Sequence, residues 1–303
     1  MLNTYDEDSG IEMPDYLVFF QSALSSPQKK IFIVGASGAA WGFHPKDLER
    51  YFPESKIFNA GLGGANISEM RSIVELMYDR IPKKEWNRTI VVLAICYTSF
   101  PEDNIKWGGS PNWVDQKRMR LGLYHQESGG IVPSVPPMLM PYIGVLMRPF
   151  RLIELISLKI KLFINHTAVG GKNLETLYLS ESERQQALNY WGSLFSENRI
   201  KEEQFDKLVD MSQFITDHGS QLILVDLPIP LWHEKSSIYF RDYQKKKLSY
   251  FRKIKSLPNV DFINLQDLNE DDTFIDSAHP KPTAAKKWAS RFALDLKKSF
   301  HRP

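Results

Sequence analysis

The sequence predicts an α/β fold, a flavodoxin-like, doubly wound parallel sheet of five strands with a helical or loop insertion after the third strand. Two observations predict it. Short, continuous apolar runs of strand length recur along the chain, as in strands buried on both faces. Between them lie helical repeats long enough for the crossovers that parallel neighbours require.

Ile31-Phe-Ile-Val34, closed by Gly35, is the first such run, and Lys56-Ile57-Phe58-Asn59 is the second. Glycines follow, and then Ile67, Met70, Ile73, Val74 and Met77 recur at the three- and four-residue spacing of a helix face. Thr89 to Ala94 is the third strand, rich in β-branched residues. Between about 100 and 180 the periodicity fails, and clusters such as Trp107-Gly-Gly-Ser-Pro-Asn-Trp113 mark an insertion, a candidate lid or interaction element. Regularity returns with a polar helix over roughly 199–218, a strand from Gln221 to Leu227 and a Lys-rich helix near 242–256. A strand from Val260 to Asn264 and a last helix over about 283–298 complete one elaborated domain spanning 1–303. Ligands of such sheets bind beyond the carboxyl ends of the strands, where the strand order reverses. Functional residues are therefore expected after strands one, two, three and five.

Composition narrows the chemistry. Of 303 residues 43% are hydrophobic and 24% charged, as in a soluble globular protein. With 38 basic against 36 acidic side chains, no global field favours a nucleic acid, although Lys245, Lys246 and Lys247 form a local basic run. The single cysteine, Cys96, follows an apolar strand and reads as a buried, inert thiol. No cluster of His and carboxylates suits a metal, and no cofactor is expected. The acidic start, Met1 to Asp8, lacks the basic, then apolar, pattern of a signal peptide. That points to the cytoplasm if Met1 is the native start, and to an extracytoplasmic site if a leader or anchor was removed.

Three chemistries compete for Gly35-Ala-Ser-Gly38 after the first strand. A phosphate-binding loop needs a Lys-Ser or Lys-Thr pair, and Ala39-Ala40-Trp41-Gly42 stands there instead. A dinucleotide site would use Gly35, Gly38 and Gly42, with Tyr243 and Lys247 in the Tyr-x-x-x-Lys spacing of short-chain reductases. It lacks the acidic residue after the second strand that holds a ribose. The third is a nucleophilic Ser37 at the strand-to-helix turn, which requires a base and an acid. Asp276-Ser-Ala-His279, between the last strand and the last helix, supplies both at the same sheet edge. The plain alternative is a turn capped by Asp276 with an exposed His279.

These motifs carry a resemblance. In Val34-Gly-Ala-Ser37, Asn59-Ala-Gly61-Leu-Gly-Gly64-Ala-Asn66 and Asp276-x-x-His279 the chain resembles the SGNH, or GDSL-like, hydrolase superfamily. Within it, the stretches Asn59 to Met70 and Val91 to Phe100 look most like bacterial proteins associated with extracellular polysaccharide. Alginate acetylation proteins and the teichoic-acid D-alanyl transferase are similar more distantly. The resemblance implies Ser37 as nucleophile, His279 as base, Asp276 as its orienting acid, and an oxyanion hole from the amide of Ser37 and one at Gly63 or Gly64. Most members also place an Asn after the third strand, where this chain has Ile95-Cys-Tyr-Thr-Ser99. Tyr97, Thr98 or Asn66 is then the expected substitute donor.

The expected activity is serine-dependent hydrolysis or transfer of an acyl ester, with an acylated carbohydrate as substrate on the strength of the resemblance. The alternative is a non-catalytic binding or assembly protein of a polysaccharide system, motivated by the missing Asn. Trp107, Trp113 and Tyr124 are candidates for stacking on sugar rings, or for a small satellite core. His233, after the fourth strand, is a candidate to support the site from behind, with a purely structural role as the favoured reading. Leu152, Leu155, Ile156 and Lys159 suggest a helix with a broad apolar face within 135–164, packing on the domain or contacting a membrane or membrane protein.

Overall fold

The computed structural model describes residues 28–120, 122–128, 130–136, 139, 142–143, 146 and 174–300. Strand β1 (Lys29–Gly35) leads into the short helices α1 (Ser37–Gly42) and α2 (Pro45–Glu49), then β2 (Ser55–Asn59), helix α3 (Ile67–Arg80) and β3 (Thr89–Ile95). Next come α4 (Asp103–Trp107), α5 (Trp113–Arg120) and the hairpin β4 (Tyr124–Glu127) and β5 (Gly130–Pro133). The chain continues through α6 (Glu181–Gly192), α7 (Glu202–Asp217), β6 (Gln221–Asp226), α8 (Leu231–Ser236), α9 (Ile238–Lys255), β7 (Val260–Asn264) and α10 (Pro282–Phe300).

The main sheet is parallel throughout, in the order β2-β1-β3-β6-β7. This is the doubly wound arrangement expected, and its order reverses between β1 and β3. Every residue of the central β3 is buried, whereas the edge strand β7 is largely accessible. Helices α1, α2 and α10 form one contacting group, and α3, α7 and α9 another. Close packing sets the glycines of the first turn. A Cβ on Gly35 would stand 2.5 Å from both Ala39 Cβ and the Ala94 carbonyl, and one on Gly42 would stand 2.5 Å from the Trp288 ring. These residues let α1 lie against β3 and α10, a packing reason for the spacing that had suggested a dinucleotide loop.

The insertion is not irregular over all its described part, since α4, α5 and the β4–β5 hairpin occupy it. Helix α6 was not anticipated, because none of its side chains is fully buried and its apolar periodicity is weak. Its start was readable as a capping box, Ser180 with Glu183, in which each side chain bonds the other's backbone amide. The Lys-rich helix begins earlier than its basic run, at Ile238 behind the Ser237 cap. The apolar helix expected around Leu152, Leu155, Ile156 and Lys159 lies outside the described residues. Among the described residues no helix is long and apolar enough to cross a membrane.

Candidate active site

Ser37 is the first residue of α1, half-buried at the carboxyl end of β1. The β1–β2 ladder continues past the strands, with the Ala60 amide bonded to the Ile33 carbonyl (2.7 Å) and the Leu62 amide to that of Gly35 (3.0 Å). This sets the second glycine turn beside Ser37. Buried Asn59 locks the arrangement. Its amide nitrogen is shared among the carbonyls of Ala39 (2.9 Å), Ala40 (3.2 Å) and Phe43 (2.8 Å), and its oxygen accepts the Gly61 amide at 2.9 Å. Carbonyls at the end of this short helix are thus tied to a side chain from the next strand. Gly61 is obligatory at this approach, because a Cβ would stand 2.6 Å from the Ala40 nitrogen.

Asp276 and His279 occupy one tight turn. The Ile275 amide bonds the His279 carbonyl at 2.8 Å and the Lys281 amide bonds that of Thr273 at 2.8 Å, closing the turn at its base. Asp276 Oδ1 accepts the amides of Ala278 and His279, both at 2.9 Å, and Oδ2 accepts His279 Nδ1 at 2.6 Å. Burial would raise the Asp276 pKa, but the His279 ring and the two amides outweigh it and hold the carboxyl below its usual range. Asp276 therefore stays ionised at neutral pH and fixes the proton of His279 on Nδ1. The opposite nitrogen, Nε2, is shielded from solvent and has no hydrogen-bond partner among the described residues.

The two halves meet through backbone and ring contacts. A Cβ on Gly38, next to Ser37, would lie 3.5 Å from the Ala278 carbonyl, next to His279. Trp41, one turn further along α1 and 43% exposed, sets its ring 5.4 Å from that of His279. The sequence reading gave Trp41 no part in the candidate site, because a single Trp on a six-residue helix carries no pattern of its own.

Candidate oxyanion donors separate into two groups. Gly63 and Gly64 are exposed, with open space where a Cβ would be, and Gly64 has φ +68°, the left-handed region that favours glycine. Lys106 bonds the Gly64 carbonyl and Glu69, tying the turn to α3 and α4. Among the described residues the amides of Ser37, Gly63 and Gly64 make no backbone hydrogen bond. The other three candidates are committed elsewhere. Asn66 caps α3, accepting the Glu69 amide at 3.1 Å and donating to the Pro101 carbonyl (3.3 Å) and Asp103 (2.6 Å). Thr98 is buried with its hydroxyl 2.9 Å from Cys96 Sγ. Tyr97 is fully buried and its hydroxyl bonds His233 Nε2. The side-chain donors of Asn66 and Tyr97 are thus engaged, whereas the Thr98 hydroxyl shares one contact with Cys96 in which either atom can donate.

His233 reaches the Asp276–His279 turn. Its Nδ1 lies 2.9 Å from the Ser277 carbonyl, inside the Asp276–His279 turn. Trp191 of α6 donates to Ser277 Oγ at 3.2 Å from the other side. Glu175 accepts the Thr283 amide and hydroxyl, each at 2.9 Å, where α10 begins. These contacts join segments far apart in sequence, so no local motif announces them.

The remaining candidates have structural partners. Tyr243 and Lys247 bond buried Asp226, at 2.9 and 2.7 Å, so their spacing serves an ion-pair cluster at the end of β6. Tyr124 is buried in the main core with its hydroxyl 2.7 Å from Asp79, and Trp113 packs against the same core, so neither forms the separate satellite core expected. Trp107 is half-buried beside Lys106. Cys96 is buried, which raises its thiol pKa. Among the described residues no group of His, Cys, Asp and Glu is arranged to hold a metal.

No protein-family model matches the chain, and no curated protein matches it. Solved structures do resemble it. One is a Streptococcus pneumonia protein provisionally described as a platelet activating factor (11% identity, 94% of this chain and 91% of that one, TM-score 0.48). Another is a catalytic mutant of an acetylxylan esterase from Geobacillus stearothermophilus (10%, 90% and 95%, TM-score 0.46). A third is a GDSL-like lipase from Bacteroides thetaiotaomicron (11%, 95% and 100%, TM-score 0.44). The similarity is distant, and the fold and chemistry of this chain rest on its own strands and side chains.

Proposed function

We propose that the chain is a serine-dependent enzyme that hydrolyses or transfers an acyl ester. The observation that carries this reading is the His279–Asp276 pair: Nδ1 is held by a carboxylate at 2.6 Å, while Nε2 is shielded and unpartnered in a turn packed against that of Ser37. In the proposed reaction Ser37 Oγ attacks the ester carbonyl carbon and its proton passes to His279 Nε2. The oxyanion of the tetrahedral adduct receives the amides of Ser37 and of Gly63 or Gly64. Collapse expels the alcohol, which takes the proton from His279 and leaves an acyl-Ser37. Water or a sugar hydroxyl, deprotonated by the same nitrogen, then releases the acyl group.

An O-acetylated carbohydrate is the substrate proposed. The resemblance read from the motifs supports it, as does Trp41, which offers an indole beside the His279 ring. A membrane or membrane-protein contact through 135–164 belongs to the same proposal; Leu139, Tyr142 and Leu146 are exposed apolar side chains of that stretch. The absence of an Asn after the third strand, with the Tyr97 hydroxyl engaged by His233, favours one competing reading, a non-catalytic protein of a polysaccharide system.

Labelling with a fluorophosphonate, together with turnover of p-nitrophenyl acetate by wild type and Ser37→Ala, decides between them. The enzyme reading expects both signals to vanish in the variant. Signals that are absent from wild type, or that do not depend on Ser37, select the binding protein. For the substrate, Trp41→Ala should raise KM about tenfold on acetylated oligosaccharides and leave p-nitrophenyl acetate nearly unaffected. Equal effects on both would reject the sugar platform.

A further inference from the structure

We propose that His233 is a positioning residue of the acid–base turn, acting through Ser277, with Tyr97 fixing its tautomer. The inference rests on the proposed roles of Asp276 and His279 and adds the element that aims them.

The Ser277 carbonyl can only accept, so the facing His233 Nδ1, at 2.9 Å, carries the ring proton. Nε2 of the neutral ring is then an acceptor, and the Tyr97 hydroxyl donates to it. Both residues are fully buried, and Tyr97 is packed edge-on against His233 and Phe240, so the ring has no room to flip. Burial also pushes the His233 pKa down to about 4, which keeps the ring neutral over the working range. Ser277 is gripped a second time at its hydroxyl by Trp191 Nε1, at 3.2 Å.

Asp276 and His279 themselves are partly exposed and are bonded chiefly to each other and to their own turn. Those internal bonds fix the shape of the turn but do not aim it. Placement relative to Ser37 needs contacts that reach the sheet. The Tyr97–His233–Ser277 chain starts on the residues after β3 and ends between the acid and the base. It begins in the turn where the family pattern places an oxyanion donor, but here that turn orients the loop that bears the base.

The test separates the two bonds of the imidazole. His233→Asn can keep the donor to Ser277 and loses the acceptor for Tyr97; His233→Gln can keep the acceptor and loses the donor; His233→Phe loses both. A misplacement of about 1 Å costs roughly 10²-fold. Phe and Gln are therefore expected to lower kcat on p-nitrophenyl acetate by about 10- to 100-fold with KM within about twofold, and Asn to recover to within about threefold of wild type. A readout free of turnover accompanies this, the downfield proton resonance of His279 Nδ1–H, assigned by its loss in His279→Gln. It should broaden or vanish in Phe and Gln and persist in Asn. If the resonance and kcat are unchanged in a folded His233→Phe, or if Asn behaves like Phe, the inference is wrong. If the resonance follows the expected order while no variant and no wild type labels at Ser37, the positioning stands and the esterase reading fails. Should the His233 variants not fold, Trp191→Phe and Ser277→Ala remove the second grip, and both are expected to lower kcat about threefold with KM unchanged; no change in either rejects the proposal.

Discussion

The turn after β3 and the turn before α10 hold similar chemistry and treat it in opposite ways. At 96–99 every polar side chain has a partner: Cys96 with Thr98, Tyr97 with His233, and Ser99 Oγ with the Cys96 amide at 3.3 Å. At 276–279 the acid is saturated by two amides and an imidazole, yet the imidazole keeps one shielded nitrogen without a partner. An unsatisfied buried polar atom costs about 1–3 kcal/mol; His279 Nε2 shares that state with others among the described residues, such as Trp288 Nε1 and Gln204 Oε1, and differs from them in its proposed role as a base. The proposed base and the residues of the β3 turn differ here in what their neighbours leave unbonded, which residue types alone do not disclose.

The comparison is broken most severely at the reacting groups. Ser37→Ala and His279→Ala are expected to lower kcat by up to about 10⁶-fold, read as loss of p-nitrophenyl acetate turnover by a protein of unchanged circular dichroism. Asp276→Asn, which leaves the geometry and misplaces the proton, should cost on the order of 10⁴-fold. Gly64→Ala puts a side chain at φ +68° and, at about 1–2 kcal/mol of left-handed strain, should lower kcat about tenfold by displacing an oxyanion amide. A comparable rise in KM with kcat unchanged would move that glycine from the oxyanion hole to substrate binding.

Smaller effects sharpen the distinction. His233 is neutral when folded and, with its pKa below the ordinary value, protonates only near pH 4. Between about pH 6.5 and pH 4 the unfolded chain takes up a proton that the folded one refuses. Stability should therefore fall as pH falls through that window, by up to about 1.4 kcal/mol per unit from this group. Denaturant titrations of His233→Asn should lack that component. The smallest change belongs to the β3 turn and the α3 cap: Thr98→Val and Asn66→Ser should leave kcat within about twofold, where loss of an oxyanion donor would cost about 10²- to 10³-fold.

Much of this was legible in the sequence. The continuous apolar runs at Ile31 to Val34 and Thr89 to Ala94 could be buried only on both faces, and the crossovers between runs allowed little besides a parallel sheet. Asp276 and His279 were legible as a pair because their contact is local, three residues apart in one turn. Helix α6 was not, since an exposed helix carries little apolar periodicity, and only its cap was written plainly.

By itself, then, the sequence determined the order of the five main strands, and it placed Ser37 after the first of them and the Asp276–His279 pair after the last. Tertiary structure alone decided which of the plausible polar groups were already engaged. Asn66 binds Asp103, 37 residues away, and Tyr97 binds His233, 136 residues away. A hydrogen bond saturates its donor irrespective of chain separation, so whether a hydroxyl or an amide is available to a substrate is a property of the packed neighbours and not of the motif in which it is written.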